Sequence, residues 1–353
     1  MTDISQRKTD HLDLTIRGDV AFHETTTLFE CVRLVHNALP ELHLDEVDLS
    51  VQVLGKRLRA PILIAGMTGG NDRAGRINQE LAELAEARGY GFGLGSQRAM
   101  VLRPDCSDSY QVRHVAPTAL VLGNLGIVQA RDMSDQEVAD LVGMVDADAL
   151  CVHLNPAMEL VQDAGDRDFR GGLERLAQLV SSLPVPVVVK ETGCGISPDV
   201  ARRVRGVGVR NIDVSGAGGT SWVGVETHRA SLSRRGLGQT FWEWGIPTAA
   251  SVALTANLGF DAVFATGGLD SGLDVAKAVA LGASAGGIAR SVLKALDSGG
   301  PAGATDYLQR IETEIRCAML LTGSKDLAQL RGARRLVRGE LAAWISELGD
   351  GTR

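Results

Sequence analysis

The fold of this chain is decided by the run Ala262-Val263-Phe264-Ala265-Thr266-Gly267-Gly268-Leu269 and by the later run Gly286-Gly287-Ile288-Ala289-Arg290. Both are predicted to be apolar strands with glycine turns, and residues 274–283 between them are predicted to form a helix. Paired glycines let backbone N–H groups approach an anion, and a helix that starts there adds the positive end of its dipole. Each turn is therefore suited to a phosphate, although two ordinary tight turns of an α/β protein would also fit.

Two phosphate turns one βα unit apart are typical of a TIM barrel, which builds its phosphate site after strands seven and eight. Six further strands are predicted upstream, at residues 61–65, 90–95, 120–124, 149–155, 185–190 and 209–215. Their regular spacing is that of repeated βα units with a parallel sheet. The sequence therefore predicts an α/β fold with one domain over residues 1–353. A single (β/α)8 TIM barrel would occupy residues 61–293, with an N-terminal arm and extension at 1–60 and extra C-terminal helices at 300–353.

Composition narrows the class of protein. The chain has 353 residues, 44% of them hydrophobic and 22% charged, which indicates a globular protein with a large core. Its net charge of −7 argues against a basic surface for nucleic acid. The five cysteines have no CxxC spacing, and no apolar run reaches the roughly 18 residues of a membrane span. We therefore expect a cytoplasmic protein with no nucleic-acid or membrane partner.

Polar residues follow the apolar runs where a barrel carries its chemistry, at the carboxyl ends of strands. They are Thr68, Ser96, Asn124, His153, Asn155, Lys190, Ser215 and Thr220. Lys190 is the most informative, because its buried charge requires an anionic partner. A phosphate would serve, and so would a heterocycle that is negative when reduced. The residues alone fit a flavin mononucleotide (FMN) or a phosphosugar.

Two segments are expected to cover this site. The polar stretch at residues 1–50 cannot fold alone, so it should pack over the barrel or over a neighbouring subunit. Residues 221–244 form a long insertion with three tryptophans, Trp222, Trp242 and Trp244. Such an insertion fits a mobile lid or a subunit contact.

Several short motifs follow one another along the chain. They include Arg7-Lys8-x-Asp10-His11, Met67-Thr68-Gly69-Gly70, Gly95-Ser96-Gln97-Arg98, Asn124-Leu125-Gly126, His153-Leu154-Asn155-Pro156, Val189-Lys190-Glu191, Asp213-Val214-Ser215-Gly216 and Gly267-Gly268. In this order the chain resembles the type 2 isopentenyl-diphosphate isomerases, which are FMN-dependent TIM-barrel enzymes. The resemblance extends from Arg7 to about Leu293.

The resemblance implies an isomerase of isoprenoid biosynthesis that converts isopentenyl diphosphate to dimethylallyl diphosphate. Reduced FMN would act as the acid/base catalyst, NADPH would serve as reductant, and the protein would be a homotetramer or homo-octamer. The implied FMN ligands are Met67, Thr68, Gly69, Ser96, Asn124, Lys190, Ser215, Thr220, Gly267, Gly268, Ala289 and Arg290. The implied substrate ligands are Arg7, Lys8, Gln97, Arg98, His153 and Asn155. Glu159 would bind Mg²⁺ on the diphosphate, and His153, Asn155 and Met158 would occupy the catalytic positions.

Two residues depart from the family pattern. Met158 stands where the family has a glutamine that is a candidate proton shuttle, and a thioether cannot relay a proton. Asp270 follows the first phosphate turn, where the family commonly has arginine, and it would repel a phosphate unless its side chain turns away. Two alternatives to an isomerase are therefore open. One is a divergent member that acts on another prenyl diphosphate or oxidises a 2-hydroxy acid, and the other is a non-enzymatic flavin-binding or assembly protein.

Overall fold

Eight parallel strands close into a barrel at the centre of this computed structural model, which describes residues 4–349. The first three residues of the predicted arm and the last four of the C-terminal segment lie outside the described residues. The strands are β1 Val32–Leu34, β2 Val51–Val53, β3 Lys56–Leu58, β4 Ile62–Ile64, β5 Gly91–Gly93, β6 Leu120–Gly126, β7 Ala149–Leu154, β8 Val187–Glu191, β9 Asn211–Asp213, β10 Ala262–Thr266, β11 Ala285–Ile288 and β12 Arg335–Val337. The barrel comprises β4 to β11 in chain order, and it closes where β11 pairs with β4.

The helices alternate with the barrel strands and surround them. They are α1 Ile4–Arg17, α2 Asp72–Arg88, α3 Arg98–Leu102, α4 Ile127–Arg131, α5 Asp135–Met144, α6 Pro156–Val161, α7 Gly172–Ser182, α8 Pro198–Gly206, α9 Trp222–Arg229, α10 Leu232–Thr240, α11 Thr248–Thr255, α12 Gly272–Ala280, α13 Arg290–Thr322, α14 Leu327–Gly332 and α15 Gly339–Leu348. The predicted TIM-barrel fold is confirmed. Among these helices, none combines the length and the apolar character that a bilayer crossing requires.

Local sequence signals fix several helix starts. Ser134 and Glu137 form a reciprocal capping box at α5. Ser197 caps α8, and Pro198 occupies its first turn. Helix α2 begins at Asp72, because the Asn71 side chain accepts a hydrogen bond from the backbone N–H of Ala74.

The barrel interior is filled by side chains that belong to no helix. Leu63, Leu120, Val188 and Phe264 are buried there, and Val53 and Leu58 join the same cluster. These last two lie on the hairpin of β2 and β3, whose strands pair antiparallel. The extension before the barrel therefore closes the barrel's amino-terminal end and leaves the opposite end for a site.

Helix α13 has two parts separated by Gly300, whose φ of 62° is not helical, and Pro301 follows directly. The part after Pro301 packs beside α2, where Glu312 bonds to Arg88 and to the hydroxyl of Tyr90. It also contacts the start of α12, where Gly272 donates to Glu314. Residues 301–322 thus complete the ring of outer helices.

Within the polar N-terminal stretch, residues 4–17 form helix α1. This helix is stabilised mainly by tertiary packing, because Leu12 and Ile16 are buried in the main core cluster. It lies over the carboxyl-terminal mouth of its own barrel, which is the first of the two placements that the sequence left open. The arm is also tied to the far end of the chain, because β1 pairs antiparallel with β12.

Candidate active site

A cavity of about 360 Å³ opens at the carboxyl ends of the barrel strands, under α1. All but two of the predicted site residues line it. Those that do are Arg7, Lys8, Met67, Thr68, Ser96, Arg98, Asn124, His153, Asn155, Met158, Glu159, Lys190, Ser215, Thr220, Gly267, Gly268, Ala289 and Arg290. They come from the arm and from all eight barrel strands or the loops after them, so the fold brings distant motifs into one place.

Gln97 and Gly69 do not line the cavity. Gln97 is fully buried behind the wall, where its amide donates to the carbonyl of Leu141 at 3.0 Å and its Oε1 accepts from the Asn124 backbone N–H at 2.9 Å. Gly69 packs against the ring of Tyr110, and an added Cβ would lie 2.1 Å from that ring. The position of Gln97 contradicts the expectation that it binds the substrate, and its side chain instead supports the end of β6. Gly69 allows the loop after β4 to pass Tyr110, and its contact with FMN stays a prediction.

The phosphate end of the cavity is formed by the two glycine turns and the start of α13. Gly267 and Gly268 have φ values of 102° and 77°, which favour glycine. Arg290, the first residue of α13, donates to the carbonyl oxygens of Thr15 and Gly18 at 2.9 Å each. These carbonyls belong to the last turn of α1 and the residue after it, so one cationic side chain joins the arm to the phosphate turn.

Asp270 does not point freely into this turn. Its carboxylate accepts a hydrogen bond from the hydroxyl of Ser291, while its own backbone carbonyl accepts from Tyr307 at 3.1 Å. Asp270 nevertheless lines the cavity and stays exposed. A reduced affinity for a phosphate here remains a prediction.

Lys190 has a protein partner that the sequence analysis missed. In the register of β8 and β9 it lies opposite Asp213, and its Nζ is 3.0 Å from Asp213 Oδ2. The hydroxyl of Thr266 donates to Asp213 Oδ1 at 2.6 Å, and the backbone N–H of Ser215 donates to the same oxygen at 3.2 Å. The anionic partner that the buried Lys190 requires is therefore a residue of the protein itself, and contact of Lys190 with a bound cofactor stays a prediction. Asp213 ends the neighbouring strand at the same depth, which is the signal that would have identified it.

His153 is held as a neutral imidazole. Its Nδ1 is 2.8 Å from Asn124 Oδ1, and the amide of Asn124 donates to Leu94 O at 3.0 Å. This orientation makes Asn124 Oδ1 an acceptor, so Nδ1 carries the hydrogen. Burial, together with the positive charges of Lys190, Lys8 and Arg98, lowers the pKa of His153 to about 3. An anion bound nearby would oppose these charges and favour the imidazolium.

Positive charge collects at the arm side of the cavity. Burial and the neighbouring charge of Arg7 lower the pKa of Lys8 to about 8. Burial and the charge of Arg98 lower the pKa of Arg7 as well. Lys8 donates to the carbonyl of Ser96 at 3.4 Å. Three cations that destabilise one another are suited to a ligand with several negative charges.

Glu159 is a buried carboxylate beside these cations. Its Oε1 accepts from the Asn155 amide at 2.8 Å, and its Oε2 accepts from the Asp166 backbone N–H at 2.8 Å. Met158 lies next to it, with its sulfur 3.9 Å from Asn155 Nδ2. Within residues 4–349 no group of three His, Cys, Asp or Glu side chains is placed to hold a metal ion. A cation at Glu159 would therefore take most of its ligands from the substrate and water, as Mg²⁺ commonly does.

The insertion forms α9 and α10, and α9 is bonded directly to the arm. His11 Nε2 is 2.7 Å from Glu226 Oε1, while Arg229 contacts Glu226 Oε2 at 2.8 Å and Asp10 at 3.2 Å. Trp222 lines the cavity and meets His11 edge to face. Trp242 donates to the carbonyl of Ala21 at 2.8 Å, so it anchors the arm of its own chain. We call helices α1 and α9 together the cover.

Comparison with known proteins agrees with this geometry. The family model described as FMN-dependent dehydrogenase matches residues 152–337. Isopentenyl-diphosphate delta-isomerase of Methanothermobacter thermautotrophicus is 42% identical over 352 residues, which are 99% of this chain and 98% of that protein. The protein of the same name from Nostoc sp. is 43% identical over 335 residues, which cover 94% of this chain and 95% of that protein.

Solved structures show the same fold at low sequence identity. A mandelate oxidase variant with an FMN adduct superposes with a TM-score of 0.65 at 19% identity, and the match covers 96% of this chain and 100% of that one. A putative lactate oxidase of Pediococcus acidilactici gives a TM-score of 0.68 at 14% identity, with 95% and 94% covered. Identities this low establish the fold alone. The near-full-length relatives and the flavin-dependent family model together place the chain in the type 2 isopentenyl-diphosphate delta-isomerase family.

Proposed function

We propose that this protein converts isopentenyl diphosphate to dimethylallyl diphosphate with FMN bound at the strand ends. The observation that carries the proposal is one cavity with two unlike ends. Glycine turns and the start of α13 form the phosphate end, and Arg7, Lys8 and Arg98 with Glu159 form the other. The first end suits a nucleotide phosphate, and the second suits a diphosphate with a divalent ion.

The residues present fit FMN. Within residues 4–349, three buried polar side-chain atoms lack a hydrogen-bond partner, and one of them is Oγ1 of the cavity residue Thr68. A buried hydroxyl without a partner is costly, so it favours a polar ligand at this position. The residues that would hold FMN are the predicted ones that line the cavity, namely Met67, Thr68, Ser96, Asn124, Lys190, Ser215, Thr220, Gly267, Gly268, Ala289 and Arg290. When bound and reduced, FMN supplies an acid/base group beside the alkene.

The chain's own residues bind and orient the substrate. Arg7, Lys8 and Arg98 would neutralise the diphosphate, and His153 would add a donor once the anion raises its pKa. Asn155 holds the carboxylate of Glu159 through a 2.8 Å hydrogen bond, so it would orient that carboxylate toward Mg²⁺. Trp222 and Met158 would face the hydrocarbon end and exclude water, because protonation of an unactivated alkene requires a dry site.

Four further parts of the proposal rest on the sequence resemblance. They are NADPH as the reductant, Mg²⁺ as the ion on the diphosphate, a homotetramer or homo-octamer, and a cytoplasmic location in isoprenoid biosynthesis. Each has a simple measurement: reduction of bound FMN by NADPH against NADH, activity after chelation of Mg²⁺, mass by light scattering, and localisation of the tagged protein.

An anaerobic product assay tests the central proposal. Protein loaded with FMN and reduced by NADPH is incubated with isopentenyl diphosphate and Mg²⁺, and dimethylallyl diphosphate is measured by mass spectrometry after chromatography. In D₂O the product should carry deuterium, because the isomerisation removes one proton and adds another. Protein that holds reduced FMN and gives no product would reject the proposal.

The 2-hydroxy acid alternative is not favoured. The relatives that match over nearly the whole chain are named isomerases, and the oxidases share the fold alone. A substrate-dependent bleaching of oxidised FMN by mandelate or lactate would revive that alternative.

The effect of Met158 remains a prediction. Met158→Gln would place a hydrogen-bonding amide beside Asn155. A large gain in turnover would show that the thioether limits proton transfer, whereas unchanged turnover would show that Met158 serves only to shape the apolar end.

A further inference from the structure

Lys190, Asp213 and Thr266 form a closed set of side chains on three adjacent strands, β8, β9 and β10. The two contacts of the ammonium are Asp213 Oδ2 at 3.0 Å and Thr266 Oγ1 at 3.4 Å. An ammonium has three donors, so within the described part of the chain one donor is left for a group in the cavity. Lys190 lines that cavity, whereas Asp213 does not.

Asp213 is itself fixed rigidly. It is 3% exposed, and its Oδ1 accepts from the Thr266 hydroxyl and from the Ser215 backbone N–H. Ser215 has a φ of 37°, an uncommon value for a residue with a side chain, so the backbone turns sharply at this point. Burial and the charge of Asp213 raise the pKa of the nearby Cys151 thiol to about 12, so that thiol is neutral. The carboxylate therefore acts mainly on Lys190.

We infer that Asp213 is a positioning residue that holds Lys190 against bound FMN and cancels part of its positive charge. The inference rests on the proposed function, because it requires FMN in this cavity. A full positive charge beside a flavin ring would favour the anionic reduced ring and raise the reduction potential. When the charge of the ammonium is partly cancelled by Asp213, more electron density stays on the flavin ring. An acid/base role of the ring at the alkene requires that electron density.

The test measures the reduction potential of bound FMN, which does not depend on isomerase turnover. In Asp213→Asn the charge of Lys190 is no longer cancelled, so the reduced flavin should be favoured at least tenfold. This equals a rise of about 30 mV for a two-electron couple. In the double variant Lys190→Met/Asp213→Asn both charges are absent, and the potential should fall back to the wild-type value or below it.

One control variant and one second test variant complete the experiment. Asp148→Asn removes a carboxylate at the other end of the barrel, where Asp148 contacts Arg113 at 2.6 Å, and it should leave the potential unchanged. Thr266→Val removes the donor to Asp213 Oδ1 and also the 3.4 Å contact of Lys190 with the same hydroxyl. Asp213 is then the only one of these two partners left to Lys190, so the carboxylate should act more strongly on it and the potential should fall, by less than the rise in Asp213→Asn. This variant carries the test if Asp213→Asn does not fold.

The outcomes distinguish failure of the proposed function from failure of the inference about Asp213. A wild-type protein that cannot be loaded with FMN would reject the proposed function. A wild-type protein that binds FMN, with a potential that is the same in Asp213→Asn, would overturn the inference alone. The same conclusion follows if Asp213→Asn raises the potential equally with and without Lys190, because Asp213 would then not act through it. If Asp213→Asn does not fold, an unchanged potential in Thr266→Val overturns the inference.

Discussion

The floor of the cavity and its cover are built in different ways. The floor consists of cavity-lining side chains on neighbouring parallel strands, such as Lys190, together with the buried partners behind them, such as Asp213. Their positions follow from the strand register. The cover, α1 and α9, is joined by side chains from segments far apart in the chain: His11 and Glu226 are separated by 215 positions. The floor is therefore part of the folding core, whereas we expect that the cover can open while the barrel stays folded.

The largest effect should be a loss of stability after a substitution in the floor. Lys190→Met leaves the Asp213 carboxylate buried without its cation, and removal of one partner of a buried ion pair costs about 3–5 kcal/mol. Urea denaturation followed by circular dichroism should show this loss in the free energy of unfolding. Lys190→Met/Asp213→Leu should regain most of it, because neither charge is then buried alone. A loss below about 1 kcal/mol, typical of an exposed pair, would contradict the description of the floor.

The cover should respond in binding rather than in stability. Glu226→Gln weakens the contacts to His11 and Arg229, which hold α9 to the arm. Because the arm carries Arg7 and Lys8, we expect the KM for isopentenyl diphosphate to rise about tenfold, which corresponds to about 1.4 kcal/mol. FMN affinity should change by less than about threefold, or about 0.7 kcal/mol, because Glu226 contacts His11 and Arg229 and not the residues at the strand ends that would hold FMN.

A matched control for the cover is Asp168→Asn. Asp168 pairs with Arg170 at 2.8 Å, but both side chains are largely exposed, so the change should leave KM and stability unaltered. If Glu226→Gln instead lowered the free energy of unfolding as much as Lys190→Met, the cover and the floor would be one cooperative unit.

The same difference explains what the sequence could and could not predict. Thr68, Asn124, His153 and Lys190 were identified because each follows an apolar run, and a barrel brings strand ends together. One sequence does not contain the strand register, so it indicates neither the pairing of Lys190 with Asp213 nor a role for Asp213. The direction of the Gln97 side chain depends on how the loop after β5 turns, which a sequence pattern does not specify. The contacts of Arg290 with Thr15 and Gly18 join residues more than 270 positions apart, and no local signal encodes them.

A pH titration sharpens the description of the floor. The pKa of His153 is about 3 in the folded protein, against an ordinary value of 6.5. Between these two pH values the unfolded chain therefore binds one more proton than the folded protein. The contribution of His153 to the free energy of unfolding is fully present above pH 6.5 and is lost as the pH falls below that value. Each pH unit in this window should cost about 1.4 kcal/mol.

The titration is best read as a difference between wild type and His153→Gln. Burial raises the pKa of Glu191 to about 7 despite three backbone donors, and this group alone would lower stability as the pH rises from about 4.5. Its contribution is present in both proteins and cancels in the comparison. The variant should therefore lose the His153 slope. Equal slopes in wild type and His153→Gln would show that His153 is not held neutral.

The smallest effect on binding is expected at the rim of the cavity, which comprises Asp270 and Ser291 beside the glycine turns, between the floor and the cover. Asp270 is exposed and its carboxylate is bonded to Ser291, so it only partly opposes a phosphate at the glycine turns. Asp270→Asn should tighten FMN binding by a few-fold, within the roughly 0–1 kcal/mol of an exposed charge contact. Ser291→Ala should weaken binding by a similar factor, because the carboxylate then loses the partner that holds it aside. Both effects, measured by quenching of flavin fluorescence, should shrink between low salt and 1 M salt, where the Debye length is about 3 Å. If Asp270→Asn weakened binding at every salt concentration, Asp270 would instead be ordering the turn, and the rim would behave like the floor.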